Sequence, residues 1–116
     1  GLFQAMVQVE AAKVAQGIHG TSKITSAMYR DGMEAVNLSA ERMEELGFKD
    51  FAPPFKNTCE NHGGSGLAAV QQWDAKNKKW NMITEYMYGD SDVVQKLIAE
   101  DSSKYAAEQK IALRCN

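Results

Sequence analysis

Leu67-Ala68-Ala69-Val70-Gln71-Gln72-Trp73 and Lys79-Trp80-Asn81-Met82-Ile83-Thr84, joined by Asp74-Ala75-Lys76-Asn77-Lys78, decide how this chain is read. The two runs predict a β-hairpin spanning about 67–84. Trp73 and Trp80 fall near each other across it, a favourable cross-strand arrangement. The connection is polar and longer than a two-residue turn. Set beside the helices predicted on either side, the hairpin gives the chain an α+β appearance.

Upstream of the hairpin lies a loop from Asp50 to Gly66. Pro53-Pro54 excludes helix there, and Asn61-His62-Gly63-Gly64-Ser65-Gly66 has the polar, glycine-rich character of an exposed loop. Phe55 to Cys59 reads as a short extended piece between them. Further upstream, three helices are expected, at about 2–16, 26–36 and 40–46. The first carries two apolar stripes, Leu2, Met6 and Val9 beside Phe3, Val7 and Val14. Its alanines favour helix and allow close packing. So broad an arc predicts a helix between two layers, interrupted by Gly17 and Gly20. Thr25 is a good N-cap for the second helix, with Met28, Ala35 and Val36 inward and Asp31 and Glu34 outward. Ser39 caps the third, and Gly47 followed by Phe48 is a natural ending.

Downstream, Asp90 or Ser91 opens a last helix at about 91–109, with Val93, Val94, Leu97, Ile98 and Tyr105 as its inner face. The expected organisation is one partial domain over 1–116. One hairpin is a thin sheet for so many helical faces, which points to missing partner structure. The lack of an initiating Met, of a signal peptide and of a frayed lead-in before Leu2 points the same way.

Thirteen Lys and Arg oppose fifteen Asp and Glu, a net charge of −2. This balance creates no field for phosphate, so nucleic acid is not an expected partner. No apolar run nears the roughly 18 residues of a membrane span. Forty-four per cent hydrophobic and 24% charged residues suit a globular chain with its own core.

Few residues suggest chemistry. Cys59 and His62, with Cys115 and His19, could on paper supply four zinc ligands. Nothing brings His19 to the others, and a structural zinc site shows two tight pairs, so no metal is expected. A Cys59–His62 nucleophile would need a depressed thiol pKa and an oxyanion site, and no catalytic residue is assigned. Gly63-Gly64-Ser65-Gly66 lacks the lysine and hydroxyl ending of a phosphate cradle. Asn37-Leu38-Ser39 matches a glycosylation triplet, common by chance. The two cysteines read either as reduced buried thiols or as one disulfide. Tyr29, Trp73 and Tyr86 receive no role, and no cofactor is implied.

A resemblance adds to this reading. Lys56-Asn57-Thr58-Cys59-Glu60-Asn61-His62-Gly63-Gly64-Ser65-Gly66, Val70-Gln71-Gln72-Trp73-Asp74 and Lys79-Trp80 are similar to the C-terminal part of periplasmic branched-chain amino-acid binding proteins. These belong to ABC importers and have the type I periplasmic binding fold, so the resemblance implies the α/β class for the whole protein. Gly32-Met33-Glu34-Ala35-Val36-Asn37-Leu38, and Ala106-Ala107-Glu108-Gln109-Lys110-Ile111 before Arg114-Cys115, carry the likeness further. It covers essentially the whole chain but only about the last third of such a protein. The hairpin tip departs from the family, which often has a shorter Trp-Asp-Gly-Lys-Lys-Trp turn.

The resemblance implies a periplasmic protein with a Cys59–Cys115 disulfide, as an oxidising compartment permits. It implies capture of a branched-chain amino acid, amide or similar small polar solute for an ABC permease, without catalysis. The helices would cover a sheet supplied by the upstream part of the same protein. The alternative is an interaction module of the same ancestry, binding no ligand. Alone, such a fragment would expose apolar faces and self-associate. Ligand contacts in that family lie mostly before this segment, so no ligand residue is carried over.

Overall fold

The computed structural model describes residues 1–49, 51–112 and 114–115. They form two compact units, residues 1–65 and 66–116.

The first unit is built on α1 (Leu2–His19) and α2 (Ser26–Ala35), which pack against each other. α1 runs through Gly17 and ends at Gly20, whose φ of 61° needs the left-handed region glycine reaches freely. The expected Phe3–Val7–Val14 stripe is covered, whereas of the Leu2–Met6–Val9 stripe only Met6 is drawn in. Val7, Ala11 and Ala15 are buried and Phe3 and Met6 half-buried, while Leu2 is 71% and Val9 55% exposed. The close approach of α2 to the alanine side of α1 explains the choice. A β-carbon on Gly32 would overlap the main-chain oxygen of Ala11 and stand 2.8 Å from Ala15 Cβ.

α2 begins where its cap predicts: Thr25 Oγ1 accepts from the Met28 amide at 3.3 Å. Val36 is buried at its end, but Ala35 is exposed and Glu34 half-buried, so the inward face is rotated from the expected one. The chain then extends into β1 (Asn37–Leu38), caps α3 (Ala40–Glu45) through Ser39 Oγ, and leaves α3 at Gly47. There the Phe48 amide donates to Met43 O at 2.8 Å and the Gly47 amide to Glu44 O at 3.0 Å, a Schellman ending.

β2 (Phe55–Lys56) pairs antiparallel with β1, Leu38 opposite Phe55 and Asn37 opposite Lys56. The core between these elements is Val7, Ala11, Val36, Leu38 and Met43. Phe3 lies edge-on to Phe55 at 6.2 Å and tilted to Phe48 at 6.3 Å, and Phe48 meets Phe51 at 5.6 Å, extending the core as an aromatic cluster. Beside it, buried Glu10 accepts from Lys13 Nζ at 2.7 Å and Arg42 Nε at 2.9 Å, tying α1 to α3. Burial would raise the Glu10 pKa, but the bonds and charges of Lys13 and Arg42 outweigh it and hold the carboxyl below its ordinary value.

The second unit holds the hairpin, β4 (Gln71–Asp74) and β5 (Lys79–Met82), with Trp73 directly opposite Trp80 and ring centroids 5.4 Å apart. The expected span of 67–84 also contains β3 (Leu67–Ala68), which pairs not within the hairpin but with β6 (Met87–Tyr88). Asp74 organises the tip. Its Oδ1 accepts from the amides of Lys76 and Asn77, both at 3.0 Å, and its Oδ2 from Asn77 Nδ2 at 2.7 Å. The Asn77 side chain foremost holds the Asp74 pKa below its ordinary value.

α4 (Ser91–Gln109) closes the unit. Its expected inner face is not inner: Val93, Val94, Leu97, Ile98 and Tyr105 are all exposed, and Ala106 is its one buried residue. The spacing that marks an amphipathic stripe identifies the face but not whether a partner covers it. The architecture is a small mixed one of helices and two-stranded antiparallel sheets, α+β in character. No described helix is long and apolar enough to cross a membrane.

Candidate functional site

The first unit contains a cleft of about 370 Å3 lined by Ser26, Tyr29, Arg30, Met33, Glu34, Asn57 and His62. Five of these share one face of α2, since positions 26, 29, 30, 33 and 34 recur at three- and four-residue steps. The other two arrive from the segment after β2. The β1–β2 ladder continues one step further, with the Asn57 amide donating to Val36 O at 3.1 Å, which seats Asn57 beside the end of α2.

Asn57 is only 6% exposed, and its Oδ1 is buried without a hydrogen-bond partner among the described residues. The loop that follows is built rather than slack. Thr58 donates its amide to Asn61 O at 3.0 Å and accepts at Oγ1 from the Asn61 amide at 3.1 Å, while Asn61 Oδ1 accepts from the Gly63 amide at 2.9 Å. Gly64 then lies so near Phe55 that a β-carbon would stand 2.6 Å from the ring. The glycine run read as a flexible loop is thus partly a packing device, and it delivers His62 to the cleft mouth. His62 Nε2 lies 3.5 Å from Glu34 Oε1, whose side chain is 13% exposed.

Tyr29 forms part of the wall, steadied by a hydrogen bond from its hydroxyl to Gln8 O at 3.3 Å. It and Ser26 also line a second hollow of about 360 Å3 with Ile24 and Thr25. At the rim, Arg30 Nη2 meets Asp31 Oδ1 at 3.2 Å, and His19 Nε2 meets Asp31 Oδ2 at 3.0 Å. The Arg30 guanidinium first, with His19 adding, holds the Asp31 carboxyl below its ordinary range despite some desolvation.

The structure therefore unites Tyr29, Glu34, Asn57 and His62, which the sequence treats separately. Glu34 reads as outward and His62 as a zinc or catalytic candidate; Asn57 enters only through the resemblance. The mixed polar and apolar face at 26, 29, 30, 33 and 34 is the signal that could have found the site. Trp73 and Tyr86 belong to the second unit. Cys59 and Cys115 are joined in a disulfide, so Cys59 is not available as a nucleophile or metal ligand. Among the described residues no group of three or more His, Cys, Asp or Glu is placed to hold a metal ion.

No family model matches the chain, and no curated protein matches it. A solved structure does: the crystal structure described as an ABC transporter permease from the Pseudomonas fluorescens group. The likeness has a TM-score of 0.87 at 34% identity and covers 99% of this chain and 28% of that one. The chain thus spans a little over a quarter of the length of that protein. This finding supports a relation to ABC transporters and overturns the finer expectation. The similar structure carries the description of a permease, not of a periplasmic solute-binding protein. The reading of this chain as the tail of a protein that captures a branched-chain amino acid for an importer does not stand. The comparison does not confirm the finer expectation of a type I binding-fold fragment.

Proposed function

We propose that this chain is a non-catalytic segment of a longer ABC-transporter protein, docking through α4 onto the rest of that protein. The observation that carries the reading is the exposed apolar side of α4. Val93, Val94, Leu97, Ile98 and Tyr105 stand uncovered along a 19-residue helix. A contiguous apolar surface of this kind marks an interaction site. The occupant follows from length, because nearly all of this chain corresponds to about a quarter of the similar transporter protein. The Cys59–Cys115 disulfide favours an oxidising, extracytoplasmic setting for the segment.

Amide hydrogen exchange tests the proposal. In the 116-residue chain alone, α4 amides are expected to exchange quickly, because few apolar contacts hold the helix. In the longer protein that carries the segment they are expected to be protected at least tenfold more. Leu97→Asp in that longer protein is expected to remove the added protection. Equal exchange in both contexts would show that α4 has no docking partner there.

A further inference from the structure

We propose that the cleft on α2 is the seat of an extended segment from elsewhere in the longer protein, bound through its main chain. The inference rests on the reading of this chain as a segment of such a protein, though not on the docking of α4. It concerns the first unit alone.

The ionisable groups of the cleft have partners. Arg30 meets Asp31 at the rim, Glu34 meets His62, and the Tyr29 hydroxyl donates to Gln8 O. The lining thus calls for a neutral occupant rather than an ion. Asn57 is different. It is nine-tenths buried, lines the cleft, and its Oδ1 lacks a hydrogen-bond partner among the described residues. A buried acceptor without a donor is unfavourable and uncommon in native structures.

A carboxamide carries a donor and an acceptor side by side. A peptide group offers the complementary pair, and main-chain groups need partners when they leave water. The terminal torsion of an asparagine is soft, so a turn of the Asn57 amide presents its oxygen to a main-chain N–H in the cleft. One bound residue then satisfies both its own amide and the orphaned oxygen.

The shape of the site selects an extended chain. The cleft shares Ser26 and Tyr29 with the second hollow, so the depression follows α2 from Thr25 to Glu34. From Ser26 to Glu34 a helix rises about 12 Å, the length of three or four extended residues. Tyr29 and Met33, one turn apart on that face, accept a small apolar side chain. The source of the segment follows from length. This chain spans 28% of the similar transporter protein, and a protein of that size has ample further chain to supply it.

The test is hydroxyl-radical footprinting of the 116-residue chain and of the longer protein, read by mass spectrometry. Tyr29, Met33 and His62 are expected to be labelled at least fivefold less in the longer protein. Equal labelling in both would overturn the proposal without any variant. Tyr105 reads α4 in the same run. Protection at the cleft alone would uphold this inference and overturn the docking of α4, and protection at Tyr105 alone would do the reverse. Cleft protection that rises with protein concentration would assign the site to a second copy, and protection lost after unfolding, desalting and refolding would assign it to a small molecule; either result would overturn the proposal. Asn57→Leu, which removes the orphaned oxygen, is expected to lower the urea midpoint of the longer protein and to leave that of the 116-residue chain unchanged or raised. An equal fall in both would make Asn57 a structural residue of the first unit and overturn the main-chain contact.

Discussion

Gly32 rests against Ala15 so closely that a β-carbon added to it would stand 2.8 Å from Ala15 Cβ, with the main-chain oxygen of Ala11 nearer still. This contact sets the distance between α1 and α2, and α2 carries five of the seven residues lining the cleft. Backbone cannot yield as a side-chain tip can. Gly32→Ala gains about 1 kcal/mol of helix propensity but meets an overpacking cost of about 3 kcal/mol. The expected outcome is net destabilisation, read as a lower urea midpoint. A midpoint equal to or above that of the parent would show that the helices separate freely.

Glu10 makes stability depend on pH. Its folded pKa lies below the ordinary value, so its contribution is fully present above the unfolded pKa of about 4.3. It is lost as pH falls through the folded value. Glu10→Gln is expected to cost about 1–3 kcal/mol at neutral pH. The gap between variant and parent should close in acid. Urea titrations of both chains at neutral and low pH check this, and a constant gap would mean that the ion pairs to Lys13 and Arg42 contribute nothing.

The tryptophan pair reports on the hairpin. With Trp73 and Trp80 centroids 5.4 Å apart, the rings should couple excitonically in far-ultraviolet circular dichroism. Trp80→Ala is expected to abolish the couplet. Asp74→Ala, which removes the acceptors for Lys76 and Asn77, is expected to reduce it without touching either ring. A couplet of full size in the Asp74→Ala chain would assign the turn to the strands alone.

Thiol titration of the denatured chain should find no free thiol without reductant and two with it, as the chain holds two cysteines, both in a disulfide. Equal titration under both conditions would refute the bond.

What the sequence makes legible here is local. The Thr25 and Ser39 caps, the Gly47–Phe48 ending and the Trp73–Trp80 pairing depend on neighbours within a few residues or across one hairpin, and each is present in the structure. Burial depends on distant partners, and there the reading fails in both directions. Val9 and Leu97 have core spacing yet stand exposed, whereas Gly32, which has no side chain to register as apolar, is buried. The cleft was hidden for the same reason. Asn57 and His62 reach Glu34 only because β2 pairs with β1, a two-residue ladder with no periodicity to announce it.

The Cys59–Cys115 bond also changes what the chain is as a covalent object. Residues 59 to 115 form a macrocycle, and nearly everything before them is a linear arm that includes α1, α2 and α3. A single protease cut at the junction between residues 65 and 66 would therefore open the ring without releasing either piece. The nicked molecule would keep its mass, plus one water, until a reductant separated the helical arm from the hairpin and α4. Gel mobility with and without reductant would then distinguish an intact segment from one already processed.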